Sequence, residues 1–429
     1  MFQTIVNAFK IKEVRNKILI TIALLFVYRL GCHIPVPGIV GFDSLNDLSF
    51  LQIMNAVSGG ALSTGTFFAM GIGPYINASI IIQLLSVGIP ALERLSKQGE
   101  EGRRKINSYT RIATLILAIA QSIGILVAFG DAGIRFEMLF GQTDFGKAAS
   151  YVFLVLVYTT GATLTMWLGE RITDYGVSNG ISLLIFAGVL STAGQAILGL
   201  FQQMADPATA MSATWNLVGF LATAIVMFAA IVTVHEAERK IPVQYAKQVK
   251  GRKMYGGQST HIPIKVNSSG VMPLIFSFSI LSFPDLIISL FNVPSDNWWT
   301  TYVGVNSWVY MVLLCLLILF FSYFYNQIQF NPDDISKSIQ GNGGFIPGTR
   351  PGKPTADYLR RVSNRITLFG AIFLALVALI PSLIFKSIDI GLVNAFSATG
   401  LLIVVSISLE FEQALQSQIM MKNYKGFLK

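Results

Sequence analysis

Long apolar stretches separated by short polar segments follow one another from the beginning of the chain to its end. Ten of them approach the roughly 20 residues that an α-helix needs to cross the hydrocarbon core of a bilayer. These predicted spans 1 to 10 lie near 17–34, 68–88, 110–129, 149–168, 180–200, 214–235, 270–291, 308–328, 365–385 and 392–412. The pattern predicts an all-α integral membrane protein with both termini on one side.

The start of span 2 breaks this pattern. Residues 58–65 read SGGALSTG and have no apolar face, and the string GIGP at 71–74 interrupts any helix before Ile76. Because each unpaired peptide group in hydrocarbon costs several kcal/mol, irregular backbone at membrane depth is tolerated only inside protein or beside a water-filled cavity. We therefore predict a short re-entrant or half-length element over 50–66 and a pathway that the chain surrounds.

Composition agrees with a membrane protein, since 53% of the residues are hydrophobic and 12% are charged. The basic residues fall mainly on one side. All but four of the 31 Lys and Arg lie in segments that ten alternating spans place together, the exceptions being Arg29, Arg135, Lys147 and Lys386. Under the positive-inside rule, the side that carries most of the Lys and Arg residues is the cytoplasmic side. We predict that both termini are cytoplasmic.

The order of the spans predicts two halves. Spans 1–5 and spans 6–10 begin on opposite sides of the membrane, as the two halves of an inverted-topology repeat do. In such proteins the functional site lies between the halves. We place the halves at 1–205 and 206–429 and the hinge in the connection 201–213.

Two predicted cytoplasmic loops, 236–269 and 329–364, are long, basic and rich in Gly and Pro. Composition leaves two interpretations open. The loops could orient the chain and attract anionic lipid, at about 1 kcal/mol per basic residue. They could instead form a docking surface for a large anionic partner, such as ribosomal RNA or an acidic ATPase face.

Candidate catalytic chemistry is sparse. The string GVSNG at 176–180 matches a nucleophile-elbow pattern, but it lies in a turn that opens span 5, and none of the three histidines is obviously paired with a carboxylate. The GNGG string at 341–344 lacks the lysine of a phosphate-binding loop. Two cysteines, Cys32 and Cys315, cannot be called a disulfide framework. We predict no enzyme activity, no cofactor and no metal site.

Ionisable residues are almost missing from the middle of the spans, whereas ion-coupled transporters normally keep some there. This absence favours a passive conduit that is driven by a partner and sealed by apolar side chains. Ile72 and Ile76, and likewise Ile181 and Ile185, are i, i+4 neighbours that project from one helix face. Spacing alone does not distinguish a pore lining from ordinary packing.

Several strings carry a resemblance to a known family: YRLGCHIPVPG (28–38), SGGALS (58–63), FAMGIGPYINASIIIQLL (68–85), KQGEEGRRKINSYTR (97–111), MWLGERIT (166–173), NGISLLIFAG (179–188), QSTHIPIKVN (258–267), GFIPGTRPGKPT (344–355) and LLIVV (401–405). The chain resembles the SecY/Sec61-alpha family of protein-conducting channels over residues 13–427. Most of these strings are long and ungapped, so the resemblance is specific.

The resemblance implies a role for particular residues. Six isoleucines would form a pore ring: Ile72, Ile76, Ile181, Ile185, Ile275 and Ile403. A plug would occupy roughly 50–67 and include Val57, Ser58, Gly59, Gly60, Ala61, Leu62, Ser63 and Thr64. A lateral gate between spans 2 and 3 and spans 7 and 8 would include Asn77, Gln121 and Phe283.

The resemblance also implies partners and a location. The basic loop tips, at Arg252, Lys253, Arg350 and Lys353, would contact the ribosome or the SecA ATPase. SecE and SecG would be small membrane subunits of the same complex, and signal sequences, unfolded polypeptides and membrane lipids would meet the channel. The expected location is the bacterial plasma membrane.

One rival accompanies this interpretation, and the chain departs from the family pattern before the last span and in the outer loops 131–148, 201–213 and 292–307. A secondary transporter of a small solute could share inverted repeats and a broken helix, although the missing midplane charges and the basic loops argue against it. The family's Gly-Gly-Thr-Ser before the last span is replaced here by SATG at 397–400. This difference concerns the packing around Ile403.

Overall fold

A computed structural model describes residues 2–39, 55, 58–129, 134–204, 210–245, 248–250, 253–255, 259–267, 270–290, 298–304, 307–388 and 398–426. Its helices are α1 (Phe2–Lys10), α2 (Lys12–Gly31), α3 (Gly73–Gly88), α4 (Pro90–Lys97), α5 (Glu100–Phe129), α6 (Asp144–Tyr175), α7 (Gly180–Met204), α8 (Ala210–Glu236), α9 (Met272–Leu290), α10 (Trp298–Val303), α11 (Trp308–Gln329), α12 (Pro332–Gly341), α13 (Lys353–Ile388) and α14 (Ala398–Gly426). Its strands are β1 (Glu238–Tyr245), β2 (Gln248–Lys250), β3 (Lys253–Tyr255), β4 (Ser259–Lys265) and β5 (Gly344–Phe345).

Each predicted span overlaps one helix, in the order α2, α3, α5, α6, α7, α8, α9, α11, α13 and α14, and residues 392–397 of the last span lie outside the described residues. Six helices in the described part of the chain are long and apolar enough to cross a membrane by themselves. The pair α3 and α4, bent by 105° at the residue before Pro90, is a further candidate. The fold is therefore that of a multi-pass helical membrane protein, and it is consistent with ten spans.

Local sequence explains where the helices begin. The predicted span 68–88 starts as a helix only at Gly73, because Gly71 has a φ of +52° and Pro74 occupies the first turn of α3. Proline is well tolerated there, since its missing N–H would have no helical partner. At α6 the side chain of Thr143 accepts a hydrogen bond from the Gly146 N–H at 3.1 Å, which caps the helix.

The two long connections between spans, 236–269 and 329–364, contain regular secondary structure that the sequence analysis does not predict. Strand β1 pairs antiparallel with β4 and, through Gln244 and Tyr245, with β5 of the second segment. The result is a three-stranded sheet in the order β4-β1-β5, with a separate β2-β3 hairpin. The helix α12 and the first residues of α13 account for much of 329–364. We call the end of the molecule that carries these strands the sheet end.

The helices pack into two groups that meet along their faces. Helix α3 packs on α5, and α5 on α6, while α9 packs on α11, and α11 on α13. Across the two groups, α9 packs against both α5 and α3. One buried apolar cluster contains residues from both groups, among them Ile80 of α3, Phe276 of α9 and Phe321 of α11. The face between the groups is closed by this cluster.

Candidate functional site

Six isoleucines from four different parts of the chain lie in one apolar cluster. Four of them are buried members of it: Ile72 (2% exposed), Ile76 (9%), Ile185 (3%) and Ile403 (5%). Ile181 and Ile275 are half-buried and pack against the same cluster. The structure therefore brings together all six residues that the family resemblance selects. Their action as a pore ring stays a prediction.

The first turn of α3 presents two members of this set. Ile72 immediately precedes the helix, and the Ile76 N–H donates to the Ile72 carbonyl at 3.1 Å. Gly169 of α6 makes room beside it, because an added Cβ would lie 3.3 Å from Ile181 Cγ1 and 3.5 Å from Ile72 Cδ1. A larger residue at Gly169 would force these side chains to shift.

A compact series of turns precedes α3. We call residues 58–66 the turn segment; Val57 lies outside the described residues. The backbone carbonyl of Asn55 accepts from the Gly60 N–H at 2.9 Å, and the Asn55 side chain accepts from the Ser63 N–H at 2.9 Å. The Thr66 hydroxyl donates to the Ala61 carbonyl at 3.0 Å. These bonds satisfy polar groups that would otherwise be unpaired inside the bundle.

Two glycines fit the turn segment against α2 and α7. Gly59 has a φ of +72°, and a Cβ there would lie 2.5 Å from Arg29 Nη1 and 3.0 Å from the Gly188 carbonyl. Gly60 has a φ of +86°, and a Cβ there would lie 3.0 Å from Gln195 Oε1. Only glycine combines this backbone conformation with so close an approach. The segment is therefore shaped to its site.

The turn segment also carries apolar side chains into the core. Ala61 is 1% exposed and belongs to the cluster that contains the isoleucines, while Leu62 is 0% exposed and packs in a second cluster with Met70 and Leu126. The sequence interpretation that residues 58–65 have no apolar face is wrong at these two positions. The segment is polar in composition yet is anchored by two apolar contacts.

Arg29 is a charged residue that sequence reasoning noted only as an exception to the charge asymmetry. It donates from Nη2 to the Ser191 hydroxyl of α7, and its Nη1 is buried beside Gly59 without a hydrogen-bond partner among the described residues. A buried cation is costly unless it is paired or hydrogen-bonded. Its position next to the turn segment could have been found only from the fold.

The residues predicted for a lateral gate lie on helices that meet. Asn77 of α3 and Phe283 of α9 are half-buried, and α3 and α9 are in contact. Gln121 of α5, which also packs on α9, is 1% exposed, and neither its amide oxygen nor its amide nitrogen has a hydrogen-bond partner in the described ranges. A buried amide without partners is rare in native structures. Because α9 packs on both α3 and α5, the seam between α3/α5 and α9/α11 is closed in this structure.

The predicted basic tips lie at the sheet end. In the β2-β3 hairpin, the backbone of Lys253 on β3 lies opposite that of Lys250 on β2. Arg252 lies outside the described residues. Arg350 and Lys353 are exposed, and the Thr355 hydroxyl donates to the Arg350 carbonyl at 2.8 Å, which holds the turn against the start of α13. Because β5 pairs with β1, the two basic segments form one structural unit.

The described residues contain no group of three or more His, Cys, Asp or Glu that could hold a metal ion. The two cysteines are not joined, since Cys32 is a buried free thiol and Cys315 a half-buried one. The GVSNG string forms the turn between α6 and α7, where the Asn179 side chain accepts from the Ile181 N–H at 3.0 Å. Asn179 therefore helps to start α7.

Comparisons with known proteins agree with this architecture. The family model described as SecY matches residues 66–412. The protein translocase subunit SecY of Corynebacterium glutamicum is 42% identical over 99% of both chains, and that of Streptomyces coelicolor is 41% identical over the full length of both. A solved structure described as a protein conducting channel has a TM-score of 0.66 at 20% identity and covers 94% of this chain and 92% of its own.

A second solved structure, Sec61 in a canine ribosome-channel complex from the endoplasmic reticulum, has a TM-score of 0.63 at 18% identity, with 94% of this chain and 92% of that chain covered. These structures are similar in fold. The sequence relatives are about twice as similar in sequence as these structures, and the similarity extends over the whole chain. This chain therefore belongs to the SecY family.

Proposed function

We propose that this chain is the central, pore-forming subunit of a Sec protein translocase. It passes unfolded polypeptide across the membrane and releases apolar segments sideways into lipid. The observation that carries this proposal is the convergence of six isoleucines, from α3, α7, α9, α14 and the residue before α3, in the cluster that also holds Ala61 of the turn segment. The family consists of channel proteins, and no catalytic step is assigned to the chain.

The isoleucines serve as the seal. A narrow ring of apolar side chains excludes ions because water leaves such a constriction. Isoleucine is apolar, and its β-branched side chain has few χ1 rotamers, which keeps the closed ring well defined. The turn segment is the plug above the ring, and its own hydrogen bonds let it leave as a folded unit.

The seam between α3/α5 and α9/α11 is the lateral gate. The three residues assigned to it, Asn77, Gln121 and Phe283, are apolar or uncharged, so an apolar helix can replace the contacts that they make. Halves 1–205 and 206–429 separate along this seam. The unpaired amide of Gln121 is available to a polypeptide that enters.

The sheet end is the docking surface, and it faces the cytoplasm. Arg252, Lys253, Arg350 and Lys353 contact a partner that drives transport, either the SecA ATPase or the ribosome. Association of a fold relative, Sec61, with a ribosome supports the second partner. SecE and SecG accompany the chain in the bacterial plasma membrane, with both termini in the cytoplasm.

The direct test is transport by the purified complex in sealed vesicles. An added preprotein should become protected from protease only when the complex and a driving partner are both present. Vesicles without the complex are the control. Rapid uptake of small solutes with no protection of a preprotein would favour the secondary-transporter alternative. Co-purification of two small membrane subunits would support the assignment of SecE and SecG.

A further inference from the structure

A hydrogen bond crosses the seam at its sheet end. The hydroxyl of Tyr325 on α11 donates to Oε1 of Gln83 on α3 at 2.5 Å. The other side of the same amide is held as well, because Gln83 Nε2 donates to the Ser79 hydroxyl one turn earlier on α3, at 3.2 Å. The carbonyl oxygen of Gln83 is thereby directed at Tyr325.

The ring of Tyr325 is fixed by its own group of helices. Tyr325 is 7% exposed, and its ring meets that of Phe276 on α9 edge to face, with centroids 5.0 Å apart. Phe276 in turn meets Phe321 on α11 at 5.7 Å. Aromatic pairs of this geometry hold each other in place. The ring thus stays with α9 and α11, while the hydroxyl reaches across to α3.

A neighbouring face of α11 is tied to α13. Asn326, the next residue, donates from Nδ2 to the Ser363 hydroxyl at 2.9 Å, and that hydroxyl donates back to Asn326 Oδ1 at 3.1 Å. Both residues are buried, at 4% and 2% exposure. Asn326 also lines a small polar cavity with Asn267, Ser322 and Thr367. Separation of α3 from α11 would therefore leave α11 attached to α13 and would break the bond to Gln83.

We propose that the Tyr325–Gln83 hydrogen bond is a latch that sets how readily the lateral gate opens, and thus how strongly an apolar segment must bind to be accepted. This inference rests on the proposed function of the seam as a gate. The bond exists only in the closed state, so its loss shifts the equilibrium toward the open state without altering the open state itself. One hydrogen bond corresponds to a change of about 2- to 10-fold in that equilibrium.

The shift should matter most for weak clients. A strongly apolar signal segment binds with more free energy than gate opening requires, so it opens the gate both with and without the hydrogen bond. A shortened segment opens the gate only part of the time, so its transport follows the closed-to-open equilibrium directly. Tyr325 and Gln83 would then set specificity, although neither needs to touch the transported chain.

The test uses the whole complex in vesicles and two preproteins, one with a full apolar signal segment and one with that segment shortened. Tyr325→Phe removes only the hydroxyl. Tyr323→Phe is the matched control, since Tyr323 lies on the same helix and its hydroxyl donates to the Asn364 carbonyl of α13 at 3.3 Å. Tyr325→Phe should raise transport of the shortened client relative to the full one by about 2- to 10-fold, and Tyr323→Phe should not.

A double-mutant cycle separates a latch from general loosening. Gln83→Met removes the acceptor at a half-buried site and should give the same rise as Tyr325→Phe. The double variant should show no further rise, because a single bond can be lost only once. Additive effects, or a Tyr325→Phe ratio equal to that of wild type or of Tyr323→Phe, would refute the latch. If Tyr325→Phe does not assemble, Gln83→Met alone decides the question by the same ratio.

Failure of the latch and failure of the proposed function give different results. If the wild-type complex protects the full preprotein but the client ratio does not change in the variants, the latch is wrong and the channel assignment stands. If the wild-type complex protects neither preprotein, the channel assignment itself fails.

Discussion

The isoleucine ring and the turn segment both lie in the proposed pathway, but they are built from different parts. The ring takes apolar side chains from positions as distant as Ile72 and Ile403. The turn segment is local, since Asn55 and residues 58–66 form most of its hydrogen bonds with one another. A ring of this kind exists only when the whole bundle is assembled, whereas a local fold can move and return intact. We infer that the ring is the permanent seal and the segment the removable one.

The largest expected effect comes from making the ring polar. Ile76→Asn together with Ile185→Asn should raise resting ion conductance in planar bilayers well above the wild-type level, because polar side chains keep water in the constriction. Ile76→Val with Ile185→Val is the matched control and should stay tight. Wild-type conductance in the Asn variant would show that these residues are not the seal.

A smaller leak should follow from displacing the turn segment. Gly59→Ala places a Cβ 2.5 Å from Arg29 Nη1 at a φ of +72°, a conformation that costs a residue with a side chain about 1–2 kcal/mol. The segment should leave its site while the ring remains, so conductance should rise less than in the Asn double variant. Gly194→Ala on α7, with open space around the new Cβ, serves as the control. Equal conductance in the two glycine variants would contradict this account of the segment.

Stability should distinguish the two kinds of residue within the turn segment. Leu62 is 0% exposed in the core, so Leu62→Ala should lower the free energy of unfolding by about 2–5 kcal/mol. Ser63→Ala removes only a hydroxyl that donates to the Gly60 carbonyl at 2.8 Å and should cost about 1 kcal/mol. The thermal midpoint of the detergent-solubilised complex measures both. Equal midpoints would mean that the segment does not depend on its apolar anchor.

The smallest effect on stability is expected at the docking surface. Arg350→Glu changes an exposed side chain, and a surface charge is usually worth less than about 1 kcal/mol. The complex should stay intact, but binding of the driving partner and partner-driven transport should fall. Arg94→Glu on the exposed face of α4 makes the same change in net charge elsewhere. Normal transport by the Arg350 variant would reduce these residues to orientation signals.

The helices of this fold could be predicted from sequence because their signal is local. Spans of apolar residues and breaks such as GIGP at 71–74 report directly on helix positions. The sheet was missed for a physical reason. Ile241 and Val243 alternate as a strand requires, but Pro242 between them argues against a paired strand, and the partner β5 is about 100 residues away.

The candidate site was predictable to a different degree at each residue. The spacing of Ile72 with Ile76 and of Ile181 with Ile185 gives one face on each helix, but nothing in the spacing indicates Ile275 or Ile403, which join the set only through tertiary packing. The same holds for Arg29 beside Gly59 and for Tyr325 with Gln83. Contacts between distant segments have no local signal in one sequence.

The central claim is that a polypeptide passes between the two groups of helices and needs their seam to open. Asn77→Cys with Phe283→Cys places one thiol on each side of that seam, and a disulfide can form if the Cα atoms come within about 7 Å. Oxidation should abolish protection of a preprotein in vesicles and reduction should restore it, while each single variant stays active under both conditions. A fully crosslinked double variant that transports at the normal rate would contradict the account.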